Sequence, residues 1–173
     1  MTNSKMTAGQ AFPSMSWEAV GGGARVDPAA ASGWRMLVVY RGKHCPLCKN
    51  YLKTLTEMKS DLESAQVSVM AVSADPKEKA EAEVREEGWN FPVGYGLTPE
   101  QMQTLGLYVS TPRSPEETDR PFAEPGMFVI NPEGKAQIID ISNAPFARPD
   151  LKGLLKGVQF VMSKGYPVRG TAA

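Results

Sequence analysis

The run Met36-Leu-Val-Val-Tyr40 is continuously apolar and rich in β-branched residues, the pattern of a strand buried on both faces of a parallel sheet. Beyond it the period changes from strand to helix. Leu52, Leu55, Met58 and Leu62 recur at helical spacing with charges between them, which predicts an amphipathic helix from Cys48 to about Ser64. Val67 to Val72 reads as a second strand. Asp75-Pro76-Lys77-Glu78 offers an N-cap, a proline at the first helical position and a glutamate at the third, and Gly88 closes that helix. Thr98-Pro99-Glu100-Gln101 repeats the start signal, and Gly106 ends a short helix. A polar, proline-bearing loop from Ser110 to Glu124 follows, long enough to be a functional segment or a lid. Met127 to Asn131, a Pro-Glu-Gly turn and Ala136 to Ile141 predict a β-hairpin. Leu151, Leu154, Leu155, Val158, Val161 and Met162 then keep the helical period behind Asp150 as cap. The element order is βαβα followed by ββα.

Ahead of these elements, Trp17-Glu-Ala-Val and Ala24-Arg-Val flank Gly21-Gly-Gly23 and suggest a hairpin turned at the glycines. The same glycines lack the lysine, the Ser/Thr and the directly following helix that a phosphate-binding loop needs. The chain therefore divides into an N-terminal extension (1–33), a main domain (34–166) and a tail (167–173).

Cys45 and Cys48 are the only cysteines, placed as Cys-Pro-Leu-Cys where the first strand gives way to a helix. A spacing of three lets both side chains share one face of a first helical turn. A thiolate there is held by unpaired backbone N–H groups and by the positive end of the helix dipole, which makes Cys45 the expected nucleophile. Arg41, Lys43 and His44 before it and Lys49 after it create a cationic field. Pro46 removes one backbone donor but presets the helical turn. The competing readings are a structural zinc site, which needs two ligands beyond the cysteine pair where the chain has a single histidine and no second pair, and two inert core cysteines. His44, the single histidine, reads as a proton carrier or as an electrostatic or docking group. Trp34 reads as a cover for the site or as core.

Nineteen basic and nineteen acidic residues cancel, and no basic block with interleaved aromatics occurs, which argues against nucleic acid as partner. The 173 residues suit one domain, and no apolar run reads as a signal peptide or membrane span. A soluble, cytoplasmic protein is expected. A structural disulfide does not persist in that compartment, so a close cysteine pair points to catalysis or metal binding.

The order of elements with a dithiol at the first strand-to-helix junction is similar to the thioredoxin fold, an α/β architecture with a central mixed sheet and helices on both faces. Tyr40-Arg-Gly-Lys-His-Cys-Pro-Leu-Cys48, Ser73-Ala-Asp75, Glu124-Pro-Gly-Met-Phe-Val-Ile-Asn131 and Asn143-Ala-Pro-Phe-Ala-Arg-Pro149 together resemble the peroxiredoxin-like branch of the AhpC/TSA family over roughly residues 35 to 165. The resemblance implies that Pro125 stands where thioredoxin-fold proteins carry a cis-proline before the third core strand, its neighbour pairing by backbone with substrate.

The chain departs from the family's Pro-x-x-x-Thr/Ser-x-x-Cys motif. With Cys48 in register, Arg41 and Cys45 occupy the proline and threonine places; with Cys45 in register, Val38 and Gly42 do. Pro125 stands where an arginine is expected, and Val39 replaces the buried acid of many thioredoxins. Glu124 or water is then the candidate to take the Cys48 proton. The implied activity is thiol-dependent reduction of protein disulfides or hydroperoxides by a Cys45/Cys48 cycle. Arg41, His44, Glu124 and Pro125 bind or activate the substrate, with neither cofactor nor metal. The implied partners are an external reductant of thioredoxin, glutaredoxin or glutathione type and, as in many relatives, a second copy of the chain. Arg113 or Arg120 on the long loop reads as a substrate contact or as plain surface. The alternatives are a redox sensor whose disulfide switches a partner-binding surface, and a dithiol holding an iron-sulfur cluster across a dimer.

Overall fold

A computed structural model describes residues 5–172. Five strands form one sheet in the order β3-β2-β1-β6-β7: β1 (Trp34–Val39), β2 (Val67–Val72), β3 (Val93–Gly94), β6 (Gly126–Ile130) and β7 (Ala136–Ile141). β1, β2 and β3 run parallel, and β6 and β7 run antiparallel to their neighbours. The expected central mixed sheet is present, with β3 added at one edge. That strand spans two residues beside Pro92, too few to leave an alternating pattern in the sequence.

Alternation along β1 sends its side chains to two separate cores. Met36, Val38 and Tyr40 pack with Leu52 and Leu55 of α1 (Pro46–Glu57) and with Leu151, Leu155 and Val158 of α5 (Leu151–Lys164). Leu37 and Val39 pack with Met102 and Leu105 of α4 (Pro99–Leu105) and with Met6, Phe12, Trp17 and Val26 of the N-terminal segment. Helices thus cover both faces. None of the helices among the described residues is long and apolar enough to cross a membrane.

The glycine hairpin is present as a single antiparallel bridge between Trp17 and Val26. Trp17 Nε1 also donates to Gln101 Oε1 at 2.8 Å, and Val20 N donates to Val93 O at 2.8 Å, so the segment is sewn to α4 and β3. Arg35, only 2% exposed on β1, aims its guanidinium at the carbonyls of Pro28, Gly33 and Asn131. A buried cation is tolerated there because each bond is charge-assisted.

Three local expectations need correction. The helix from Cys48 to Ser64 is two helices, α1 and α2 (Lys59–Ser64), broken at Met58 (φ −88°, ψ 5°). Asn90 Nδ2 donates to the Thr56 carbonyl at 3.1 Å, tying the end of α1 to the chain ahead of β3 at the break. Asp75 does not cap α3 (Lys77–Glu87); its carboxylate turns to the Lys43 backbone N–H at 2.8 Å instead. The long loop is closed by a short ladder between β4 (Val109–Ser110) and β5 (Phe122–Ala123), with Thr118 buried beneath it. Lys79 ties it to α3 through Thr118 Oγ1 at 3.3 Å.

Gly126 opens β6 under Leu107, where an added Cβ meets Leu107 Cδ2 at 2.5 Å. Gly126→Ala is expected to cost about 1–3 kcal/mol in urea unfolding through overpacking. Leu107→Ala in the same chain should recover part of that loss, and simple additivity of the two costs would contradict the contact.

Candidate active site

Cys45 is the N-cap of α1. Its backbone is extended (φ −109°, ψ 102°), and its Sγ accepts the Cys48 N–H at 3.2 Å. Pro46 takes the first helical position, where a missing N–H costs nothing. Both cysteines are free thiols, 1% and 0% exposed. The hydrogen bond from the Cys48 thiol pulls the Cys45 pKa down to about 5; burial opposes this, and Arg41 and the Cys48 N–H reinforce it. Burial, and then the negative Cys45 sulfur, push the Cys48 thiol up. One cysteine is a thiolate at neutral pH and the other a proton donor to it.

Arg41 faces Cys45 with its guanidinium. Glu124, 3% exposed, holds that guanidinium from behind: Arg41 Nε lies 2.9 Å from Oε1 and 3.2 Å from Oε2. Ser110 Oγ donates to the same carboxylate at 2.9 Å, and the Arg41 cation lies 4.9 Å over the Phe122 ring. The base of the long loop therefore sets the Arg41 position, and Glu124 acts on Cys45 through Arg41.

His44 does not add to the cationic field. Its ring packs edge-on to Phe122 at 4.5 Å, and both nitrogens are buried without a partner among the described residues. Burial, helped by Arg41, lowers its pKa to about 4, so it is neutral at pH 7. The cation that matters is Arg41.

Gly42 stands where a threonine belongs if Cys45 is in register, and the backbone explains the change. Its φ is +135°, and an added Cβ would meet Asp75 Oδ1 at 2.8 Å. Asp75, by accepting the Lys43 N–H, anchors the loop that delivers Cys45, and that anchor leaves no room for a side chain at 42.

Pro125 precedes β6 as expected, but no peptide bond among the described residues is cis. Glu124 N already donates to Tyr108 O at 2.8 Å, and Pro125 O accepts Ser142 N at 3.1 Å. The hydrogen bonds that a docked peptide would use at these two groups are taken, the first by the chain entering β4 and the second by the chain leaving β7.

Sequence reasoning missed Arg148. Its Nη2 lies 3.0 Å from Cys48 Sγ, its Nε donates to Pro145 O at 2.7 Å, and its cation lies 4.8 Å over the Tyr51 ring. Tyr51 Oη in turn donates to Pro149 O at 2.7 Å. The usable signal was an arginine fixed between two prolines just before the Asp150 cap of α5. Arg148 also borders an open groove of about 410 Å³ lined by Leu47, Tyr51 and Phe146. A larger hollow of about 680 Å³ lies at Leu55, Leu62, Val67 and Phe91, and neither cysteine lines it.

Trp34 starts β1 and packs in the core. Arg113 and Arg120 pair with Glu117 and Asp119 on the loop surface and take no part in the site.

The AhpC/TSA family model matches residues 8–139, beginning earlier and ending earlier than the motifs alone suggested. No curated protein matches the chain. Among solved structures, a mutant of peroxiredoxin 6 from Arenicola marina superposes with a TM-score of 0.75 at 18% identity, covering 97% of this chain and 86% of that one. A peroxiredoxin-like protein from Aquifex aeolicus gives 0.75 at 14% identity over 91% and 89% of the two chains. Enterococcus faecalis AhpC gives 0.74 at 20% identity over 94% and 98%. These likenesses bear out the thioredoxin-type fold, and the match over well more than half of the length shows that the chain belongs to the AhpC/TSA family of thiol-dependent oxidoreductases.

Proposed function

We propose that the protein is a hydroperoxide reductase working through a Cys45/Cys48 dithiol–disulfide cycle. The observation that carries this reading is the split between the two sulfurs: a thiolate at Cys45, braced by Cys48 and Arg41, beside a protonated Cys48. The Cys45 thiolate attacks the distal oxygen of the peroxide. The O–O bond breaks, the alkoxide leaves with a proton as an alcohol or water, and Cys45 becomes a sulfenic acid. Cys48 then attacks the Cys45 sulfur, the S–O bond breaks, water leaves and the disulfide forms. Two thiols of an external reductant, of thioredoxin, glutaredoxin or glutathione type, restore the dithiol. A cytoplasmic setting supplies such thiols.

Arg41 supports this chemistry in the absence of the family's threonine and third-strand arginine. Its guanidinium is the cation beside the attacking sulfur, where negative charge moves onto the peroxide oxygens. Substrate size favours the peroxide over a protein disulfide: both sulfurs are buried, and the Glu124 N–H and Pro125 carbonyl are already bonded. The deciding experiment mixes the reduced protein with hydrogen peroxide, follows tryptophan fluorescence and counts thiols. Loss of two thiols per chain, abolished by Cys45→Ser, is expected; oxidation no faster than that of a free low-pKa thiol would redirect the function to disulfide exchange.

Alkylation of Cys45 by iodoacetamide, followed by mass spectrometry, should rise with pH to a midpoint near 5 and stay flat through pH 8. An ordinary cysteine is only about 1% ionised at pH 6.5. Arg41→Met should move the midpoint upward by about one unit or more and slow peroxide reduction about tenfold or more. An unchanged midpoint would remove Arg41 from the mechanism.

Arg148→Met takes away the cation that favours an ionised Cys48. It should slow disulfide closure several-fold while sulfenic acid formation at Cys45 keeps its rate, as read by trapping with dimedone. Equal slowing of both steps would mean that Arg148 merely supports the fold.

A further inference from the structure

Four buried polar atoms in and beside the core that holds the dithiol lack a hydrogen-bond partner among the described residues: Tyr40 Oη, Trp89 Nε1 and both carboxylate oxygens of Glu83. Tyr40 and Glu83 are 0% exposed, and Trp89 is 6% exposed. The Tyr40 and Trp89 rings meet edge to face at 5.5 Å. Tyr40 and Trp89 share one apolar core with Cys45, Cys48 and Val84, the residue next to Glu83. An unpartnered carboxyl in such a core is among the costlier features a fold can carry, and it calls for a chemical reason. Glu83 takes a place on the buried side of α3, next to Ala80, that an apolar residue would fill at no cost.

The Tyr40 hydroxyl connects the two ends of this cluster. It lies within electrostatic reach of the Glu83 and Asp75 carboxyls and of the Cys48 sulfur, and Ser73 faces it without closing a hydrogen bond. Cys48 is the group in the cycle that must lose a proton in an environment that opposes its charge. Glu124 is committed to Arg41 and Ser110. Burial, reinforced by Asp75 and opposed by Lys49 and Lys43, raises Glu83 to about 8, within the range in which a carboxylate is an effective base.

We propose that Glu83 is the proton acceptor for Cys48 during disulfide closure, with the Tyr40 hydroxyl and buried water carrying the proton between them. This inference rests on the Cys45/Cys48 cycle proposed above and assigns the base which that cycle requires. The Cys48 S–H bond breaks and its proton passes to the Glu83 carboxylate. The freed electron pair forms the S–S bond as the Cys45 S–O bond breaks. Hydroxide leaves and takes a proton from solvent to become water, and Glu83 returns its proton to solvent. Cys48 sulfur is oxidised and Cys45 sulfur reduced, so the step balances. Water has polar partners here in the four orphaned atoms.

The charged and titratable groups that face Glu83 are Asp75, Lys43, Lys49 and Glu87, with Tyr40 in electrostatic reach of both it and Cys48. The test is a single turnover of the full-length reduced protein with one equivalent of hydrogen peroxide between pH 6 and 9. It is quenched with dimedone and N-ethylmaleimide and read by mass spectrometry as Cys45 sulfenic acid and Cys45–Cys48 disulfide. Wild-type closure should rise through a midpoint near pH 8. Glu83→Gln should accumulate sulfenic acid, close at least tenfold more slowly at pH 8.5 and lose that midpoint; a merely structural role would not remove it. Tyr40→Phe, which keeps the ring, should slow closure in the same direction. Closure at the wild-type rate and pH profile in Glu83→Gln would overturn the assignment of the base alone. A wild-type protein that forms sulfenic acid but no disulfide would overturn the cycle, and this inference with it.

Discussion

The site depends on a sulfur placed where a helix begins. Cys45 occupies the N-cap of α1 and accepts the Cys48 N–H that a serine or aspartate would accept in an ordinary helix. A thiolate at that position caps the helix and is stabilised by it. The same bond fixes Cys48 one turn later on the face toward Cys45, so the reactive pair and the start of the helix form together. Everything around the dithiol is then arranged to keep that N-cap in place: Asp75 on the Lys43 N–H, Gly42 giving way before Asp75, and the β1 register that brings Tyr40 to the end of the sheet.

The two sulfurs would be equivalent in water, and the fold makes them unequal even though a guanidinium attends each. Arg41 reaches Cys45 from the strand end of the sheet, held by a carboxylate at the base of the long loop. Arg148 reaches Cys48 from the segment ahead of α5, held by a carbonyl and an aromatic ring. A guanidinium keeps its charge at any working pH and its planar donors can be fixed in direction, which a lysine cannot match. The difference between the cysteines is therefore set by the Cys48 hydrogen bond and the pinned Arg41 at Cys45 and by the desolvation of Cys48, which Arg148 offsets only in part.

Much of the architecture was legible because it rests on local rules. Val67 to Val72, the Thr98 capping box, the Asp150 cap and the hairpin across Pro132-Glu-Gly134 were readable from spacing and turn chemistry, and the structure forms all of them. The break at Met58 was not; the side chain bonded beside it, Asn90, lies more than thirty positions away. Asp75 looked like a cap because the local pattern Asp-Pro-Lys-Glu fits one; a distant backbone N–H competes for its carboxylate. The site divides in the same way. Cys45 and Cys48 were visible from their spacing, and Arg41 from its nearness in sequence. Arg148 reaches the Cys48 sulfur through the packing of the segment ahead of α5, and Glu83 is buried by the packing of α3, and no spacing rule encodes either.

At position 42 the departure from the family motif has a physical cause. A threonine at position 42 is incompatible with a φ of +135° and with the Asp75 carboxylate against that Cα. Pro125 occupies the place before β6 where an arginine would point at the sulfur. The loop that carries Cys45 is thus positioned by a carboxylate–backbone bond rather than by a threonine hydroxyl. Its cation comes from the strand end immediately before Cys45 rather than from the third core strand. Charge stabilisation near a reacting oxygen depends on where the donor sits and how firmly it is held, and not on which element supplies it. Arg41, braced by Glu124 and Ser110 and stacked on Phe122, meets both conditions, so the loss of the two family residues relocates the electrostatic support of the thiolate without abolishing it.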